Sequence, residues 1–180
     1  MSNRIEDRLA RIAPAHYVGT AYRQQGPGYD PRSGAGARRH GGRFNPPRSF
    51  PVLYLALTLE TAAAELRHIA DRSGIALRDA LPRELFSFEL DLTRVLDLRD
   101  EDALSELEVT RDDVLAPDQQ RSREIGEAAL SVGLQAIAAP SATGTGEVLA
   151  VFLDNLGVGR CEPTRLGTWN DEPALGMNPR

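Results

Sequence analysis

Residues 34–65 read GAGARRHGGRFNPPRSFPVLYLALTLETAAAE, and the rest of the chain is organised around them. Their first part, 34–45, holds four glycines and three arginines; glycine lets the backbone approach a ligand closely, and guanidinium groups meet negative charge as planar forks. That composition suits a phosphate cradle. Pro46 and Pro47 close off any helix, and PVLYLA at 51–56 then reads as a short buried strand bounded by turn signals. Thr58 follows as an N-cap and residues 60–70 as a helix. No Walker pattern or G-x-G-x-x-G fingerprint occurs, and Gly34-Ala-Gly36 precedes a loop instead of opening a helix, so the mechanics of those motifs do not apply.

Upstream, residues 3–13 place Ile5, Leu9 and Ile12 at helical spacing before Pro14, and YVGTAYR at 17–23 reads as a strand that delivers Arg23 to the loop beyond. Residues 24–45 are long, glycine- and arginine-rich and nearly free of aliphatic side chains, the profile of a functional loop. Downstream, the helix carries an apolar stripe of Leu59, Ala62, Ala63, Leu66, Ile69 and Ala70, with Glu65 on its flank, His68 toward water and Gly74 as its stop. LFSFELDL at 85–92 alternates as a half-buried strand, and VLDL at 95–98 reads as a second, short one. Residues 100–114 suit one or two short helices, and the segment from Asp118 a further helix ending at Gly133. A strand at 134–138 leads to Pro140-Ser141-Ala142 and a glycine turn at 143–146. VLAVFL at 148–153 is the most apolar strand, expected at the centre of a sheet. The stretch from Gly157 has little periodicity, which suits edge structure or a disordered end. The order of elements is mixed, so the expected class is α+β: one domain over 1–180 with a mixed central sheet flanked by helices, a core at about 17–155, an N-terminal helix within 1–16 and an irregular tail at 157–180.

The bulk composition narrows the function. A chain of 180 residues, 41% hydrophobic and 26% charged, is an ordinary globular protein with room for a proper core. A net charge of −5 repels nucleic acid and anionic membrane as a whole, so any basic site is local. No apolar run is long enough to span a bilayer and the charged start has no signal-peptide core, which makes the cytoplasm the expected location. Cys161 is the single cysteine, which excludes an internal disulfide, and the three histidines lack metal-ligand spacing, so no metal is expected.

Four polar residues fall at the mouths of these elements: Arg23, Arg43, Glu65 and Ser141, with Tyr54 in the strand between loop and helix. On pattern alone each has an ordinary reading. Arg43 reads as a loop residue bonded to backbone carbonyls, Glu65 as a helix-flank residue pairing with His68 or water, Ser141 as a turn residue and Tyr54 as a core aromatic. The runs Gly41-Gly42-Arg43-Phe44-Asn45-Pro46-Pro47, Val52-Leu53-Tyr54-Leu55-Ala56 and Thr61-Ala62-Ala63-Ala64-Glu65-Leu66, together with Tyr22-Arg23 and Pro140-Ser141-Ala142, resemble the RES family. The likeness runs from about Tyr22 to Asn155, in order and at the right spacing. Phe44 stands where that family usually has tryptophan, Arg48 where it often has glycine, and the segment from Gln120 to Glu124 is longer and more charged than the family's motif there.

The resemblance implies a fold similar to ADP-ribosyltransferase toxins. It further implies a toxin of a toxin–antitoxin pair that depletes NAD by cleaving its nicotinamide–ribose bond, by hydrolysis or phosphorolysis, with NAD as substrate, phosphate as a possible co-substrate and no cofactor. Carried over, Arg23 and Arg43 bind the NAD phosphates, Tyr54 packs on the nicotinamide side, Glu65 is the key acid, Ser141 lines the site, and Phe44 and Asn45 belong to the substrate-binding set. The implied partner is an Xre-type antitoxin with a helix-turn-helix, forming a toxin–antitoxin hetero-oligomer. The chemistry agrees: nicotinamide leaves neutral from a cationic glycosidic bond, so the need is a carboxylate that stabilises the oxocarbenium ion. A phosphate acceptor needs a further cation, for which Arg38 and Arg39 lie nearby in sequence. The alternatives are an ADP-ribosyltransferase acting on a macromolecule and a non-catalytic nucleotide-binding or interaction module.

Overall fold

The computed structural model describes residues 4–179; Asn3, where the first expected helix begins, lies outside them. In chain order the elements are α1 (Ile5–Leu9), β1 (Ala15–Gln25), α2 (Ala35–His40), β2 (Val52–Ala56), α3 (Leu59–Ser73), β3 (Arg83–Asp97), α4 (Glu101–Glu106), α5 (Arg111–Leu115), α6 (Gln120–Ser131), β4 (Ala136–Pro140), β5 (Glu147–Phe152) and β6 (Arg160–Trp169), with short 3-10 turns between some of them. The class is α+β. The strands run in the order β1-β2-β5-β4-β3-β6, and β1 also pairs with β3, so five strands close into a small barrel-like ring with β6 added along β3. The β3–β4 pair is parallel and the other pairs are antiparallel, which makes the sheet mixed.

Burial explains which strands are interior. All five residues of β4 and the last four of β5 are buried, the near-continuous apolar pattern of strands covered on both faces. One cluster packs Phe44, Leu96, Ile125, Ile137 and Phe152 between the sheet and α6. A second fills the other side with Leu53, Phe88, Leu90 and Leu149, and a third joins α3 to Trp169. The α3 boundaries follow local chemistry. The Thr58 hydroxyl accepts the Thr61 N–H at 3.0 Å, and Gly74 takes the left-handed conformation at φ 65° that ends the helix.

Several expectations change. The two strands expected at 85–92 and 95–98 are one, β3. Its alternation slips where Thr93 and Arg94 are both exposed and Val95 and Leu96 both buried, and there the strand passes from β6 to β4. The Gln135 side chain bridges the slip, its Oε1 accepting the Thr93 and Arg94 N–H groups at 2.8 and 3.2 Å. The expected loop at 24–45 contains α2, so the Gly34-Ala-Gly36 run opens a short helix with Gly34 at its N-cap and does not precede a loop. The stretch beyond Gly157 holds the ten-residue strand β6, whose last residue, Trp169, is fully buried and donates to the Met177 carbonyl at 2.8 Å. Arg48, at φ 57°, occupies backbone that glycine adopts without penalty. Among the described residues no helix is long and apolar enough to cross a membrane.

The ring is not equally tight all round. Ten residue pairs register β1 with β3, but only Tyr22 with Ala56 registers β1 with β2. The ring is therefore weakly closed at that seam, and the seam opens into a cavity.

Candidate active site

The cavity has a volume of about 580 Å³, within the ~300–1,000 Å³ usual for small-molecule sites. Its walls come from four segments: Tyr22 to Gln24 of β1, residues 41–44 of the glycine loop, Tyr54 to Ala56 of β2, and the α3 face carrying Glu65, His68 and Arg72. Ala142, next to Ser141, and Gln119 add to the lining, as do Ala37, Val52 and Val148. Residues far apart in the chain are thus brought to one hollow.

Arg23 projects from β1, half-buried. Its side chain makes no hydrogen bond or ion pair among the described residues. Burial is the main cause that lowers its pKa from the ordinary arginine value, with repulsion from Arg83 second and Asp30 opposing. An arginine stays charged under such a shift, so this is a desolvated cation without an acceptor. Arg43 is different. Its Nη1 donates to the carbonyls of Val114 and Ala116, so the carbonyl-bonded reading holds for one arm, while the residue also borders the cavity. Burial lowers the Arg43 pKa, and the nearby Glu65 carboxylate opposes that shift more strongly than any other group.

The glycine loop is clamped to β2. Tyr54 Oη donates to Asn45 Oδ1 at 2.8 Å and accepts the Phe44 N–H at 2.9 Å. Burial pushes the Tyr54 pKa far above its ordinary value, so the hydroxyl stays protonated. Gly42 lies against that ring: a Cβ there would fall 2.5–2.6 Å from Tyr54 ring and hydroxyl atoms, closer than any side chain tolerates. Arg123 of α6 fixes the loop from the other side, its Nε donating to the Gly42 carbonyl at 3.1 Å.

Glu65 is fixed as well. Ser141 Oγ donates to its carboxylate, shares a hydrogen bond with the Thr143 hydroxyl at 2.7 Å and accepts the Thr143 N–H at 3.2 Å. Ser141 is 1% exposed; its hydroxyl positions the acid from beneath while Ala142 faces the cavity.

The structure thus brings Arg23, Arg43, Tyr54 and Glu65 to the cavity. Two other expected ligand residues do different work. Asn45 is fully buried and absent from the wall, its Nδ2 donating to the Ala37, Pro46 and Phe50 carbonyls at 2.8, 3.3 and 3.5 Å. Phe44 borders the cavity but is fully buried, with its ring in the core cluster beside α6. Their role is to shape the loop that carries Arg43. Arg38 and Arg39, the cations nearest in sequence, lie on α2 and do not line the cavity.

Three wall residues are not singled out by the sequence. His68 lines the cavity instead of facing water, and Ile69, expected in the apolar stripe, is 48% exposed at the same wall. Arg72 lines it too. The available signal is spacing: His68 and Arg72 stand three and seven residues beyond Glu65, which stacks all three on one helical face.

The chain is similar in sequence and fold to known proteins. A family model described as the RES domain matches residues 8–165. The NAD(+) phosphorylase MbcT of Mycobacterium bovis is 33% identical over 158 residues, covering 84% of this chain and 85% of the relative. The NAD(+) phosphorylase MbcT of Mycobacterium tuberculosis matches to the same extent. The crystal structure of the M. tuberculosis MbcT–MbcA toxin–antitoxin complex superposes with a TM-score of 0.78 at 26% identity, covering 98% of this chain and 96% of that one.

Proposed function

This chain belongs to the RES domain family, and from that premise we propose that it is an NAD-consuming enzyme, a toxin that breaks the nicotinamide–ribose bond and passes the ADP-ribosyl group to phosphate. The observation that carries the reading is a single cavity with Arg23, Arg43, Tyr54 and Glu65 on its wall, beside relatives named NAD(+) phosphorylase. Among the described lining residues, three guanidinium groups stand against one carboxylate. That local surplus of positive charge suits an anionic ligand, although the whole chain carries −5.

The roles follow from charge. Arg23, without an acceptor of its own, and Arg43, with one arm tethered, hold the pyrophosphate by charge-assisted hydrogen bonds. The nicotinamide nitrogen carries positive charge before cleavage and takes the bonding electron pair as it leaves, so no proton donor is required. The deficit appears on the ribose. Glu65, oriented by Ser141 and Thr143, supplies fixed negative charge where that deficit develops, and a preorganised group needs no reorientation at the moment of reaction. Tyr54 borders the nicotinamide end and holds the loop that carries Arg43.

An enzyme that drains NAD harms the cell that makes it, which calls for an inhibitory partner. The solved neighbour is a toxin–antitoxin complex, and the corresponding partner here is an Xre-type antitoxin that blocks the cavity mouth. The test of the activity is direct. Purified protein given NAD and phosphate releases nicotinamide, and Glu65→Gln lowers the rate by about 100-fold or more. No release by wild type, or equal release by the variant, rejects the reading. ADP-ribose retained on macromolecules of a lysate would select transfer to a protein or nucleic acid instead.

A further inference from the structure

A phosphorolytic enzyme must hold a second anion beside a carboxylate that repels it. Resting on the NAD-cleaving reading above, we propose that Arg72 is the residue that captures this phosphate. Arg72 sits in the last turn of α3, borders the same cavity as Glu65 and is exposed. Its side chain makes no hydrogen bond or ion pair among the described residues, so its guanidinium has no protein acceptor to surrender.

Two observations separate Arg72 from the other two arginines, and a third favours an anionic acceptor. The first is direction. Arg72 is seven residues beyond Glu65, two helical turns or roughly 10 Å along the axis, and helical side chains lean toward the N-terminus. That lean is in the direction of the turn that carries Glu65, both residues line the one cavity, and the Arg72 charge is felt at Arg43, where it works against the Arg43 charge. The second is exposure: Arg23 and Arg43 are half-buried, the latter with one arm on backbone carbonyls, whereas a co-substrate that enters and leaves separately meets its cation at the rim.

The third is charge balance. Three guanidinium groups and one carboxylate leave the wall at +2 among the described residues. NAD brings two phosphate charges and one pyridinium charge, so it neutralises only half of that surplus. The remainder suits an anionic acceptor better than neutral water. In the step, an oxygen of hydrogen phosphate forms the bond to the ribose carbon as the carbon–nitrogen bond breaks. The electron pair leaves on nicotinamide, the proton stays on phosphate, and the products are neutral nicotinamide and ADP-ribose 1-phosphate.

The experiment varies inorganic phosphate and NAD separately for wild type, Arg72→Gln and Arg72→Lys, quantifying nicotinamide, ADP-ribose 1-phosphate and ADP-ribose. Arg72→Gln is expected to raise the KM for phosphate about tenfold, the effect of losing one charge-assisted contact, and to shift product toward ADP-ribose. Its KM for NAD stays within about twofold, and Arg72→Lys recovers most of the phosphate dependence. An unchanged phosphate KM in Arg72→Gln, or an equal rise in the KM for NAD, overturns the assignment. Wild-type nicotinamide release that is indifferent to phosphate also overturns it while leaving NAD cleavage intact, and no release at any phosphate concentration sinks both.

Discussion

Glu65 illustrates how a site residue is made by its support. Alone on a helix flank its carboxylate has several rotamers; the Ser141 hydroxyl, itself tied to Thr143, selects one. Ser141→Ala is therefore expected to lower kcat about tenfold, the worth of one hydrogen bond to a charged group, with little change in the KM for NAD. Steady-state kinetics check it, and wild-type kcat would remove the positioning role. Tyr54→Phe strands both the Phe44 N–H and Asn45 Oδ1. It should cost about 1–3 kcal/mol of stability and raise the KM for NAD, because the loop that carries Arg43 loosens; denaturant melts and kinetics read the two effects. Single-residue chemistry is only half legible in the sequence. The resemblance points to Arg23, Arg43, Tyr54 and Glu65, but the buried amide of Asn45 and the buried ring of Phe44 look the same in a string of letters as ligand contacts would. Cys161 is buried, and that burial pushes its thiol up to about 11 against the opposing pull of Arg32, which gives it the inert character of a thiol held away from water.

Elements meet the site through close approach. Gly126 faces the glycine loop from inside α6, and a Cβ there would fall 1.8 Å from the Phe44 carbonyl oxygen. Gly126→Ala gains intrinsic helix propensity of about 1 kcal/mol yet must push the loop away. The expected net result is a lower Tm together with a raised KM for NAD; a higher Tm with normal kinetics would show that α6 does not brace the loop. In the sequence this glycine is simply a residue inside a helical pattern, with no sign of what it touches. Legible elements are those whose signals are local: α3 with Thr58 and Gly74 at its ends, and β5 with its unbroken apolar run. β3 reads as two strands because its alternation slips at Thr93 and Arg94, and the reason, a change of partner strand bridged by Gln135, is a long-range fact. β6 does not read as a regular strand because Pro163, Arg165 and Gly167 interrupt its pattern and its pairing to β3 supplies the order instead.

Across the whole molecule, closure of the ring sets both stability and access. Arg99 joins β3 to β5: its guanidinium donates to both Asp97 carboxylate oxygens at 2.7 Å and to Glu147 at 2.6 Å. Burial works to raise the Asp97 pKa, but the bonds from Arg99 outweigh it and hold the carboxyl below its ordinary value. A depressed folded-state pKa adds stability above the unfolded value, about 3.9 for aspartate, and that stability is lost as pH falls through the lower folded value. Wild type should thus lose Tm more steeply than Asp97→Asn below about pH 4, and parallel curves would exclude the contribution. The weakly paired β1–β2 seam, which opens the cavity, is not legible in the chain, because strand-to-strand register there depends on where β3 and β5 hold their partners. The central claim is that this seam holds a dinucleotide with its pyrophosphate on Arg23 and Arg43 and its nicotinamide ribose at position 65. A crystal structure of the Glu65→Gln variant with NAD tests it most directly. The account predicts phosphate oxygens within hydrogen-bond distance of both guanidinium groups and the ribose beside the substituted amide, and NAD bound anywhere else, or with its ribose turned away from position 65, would contradict it.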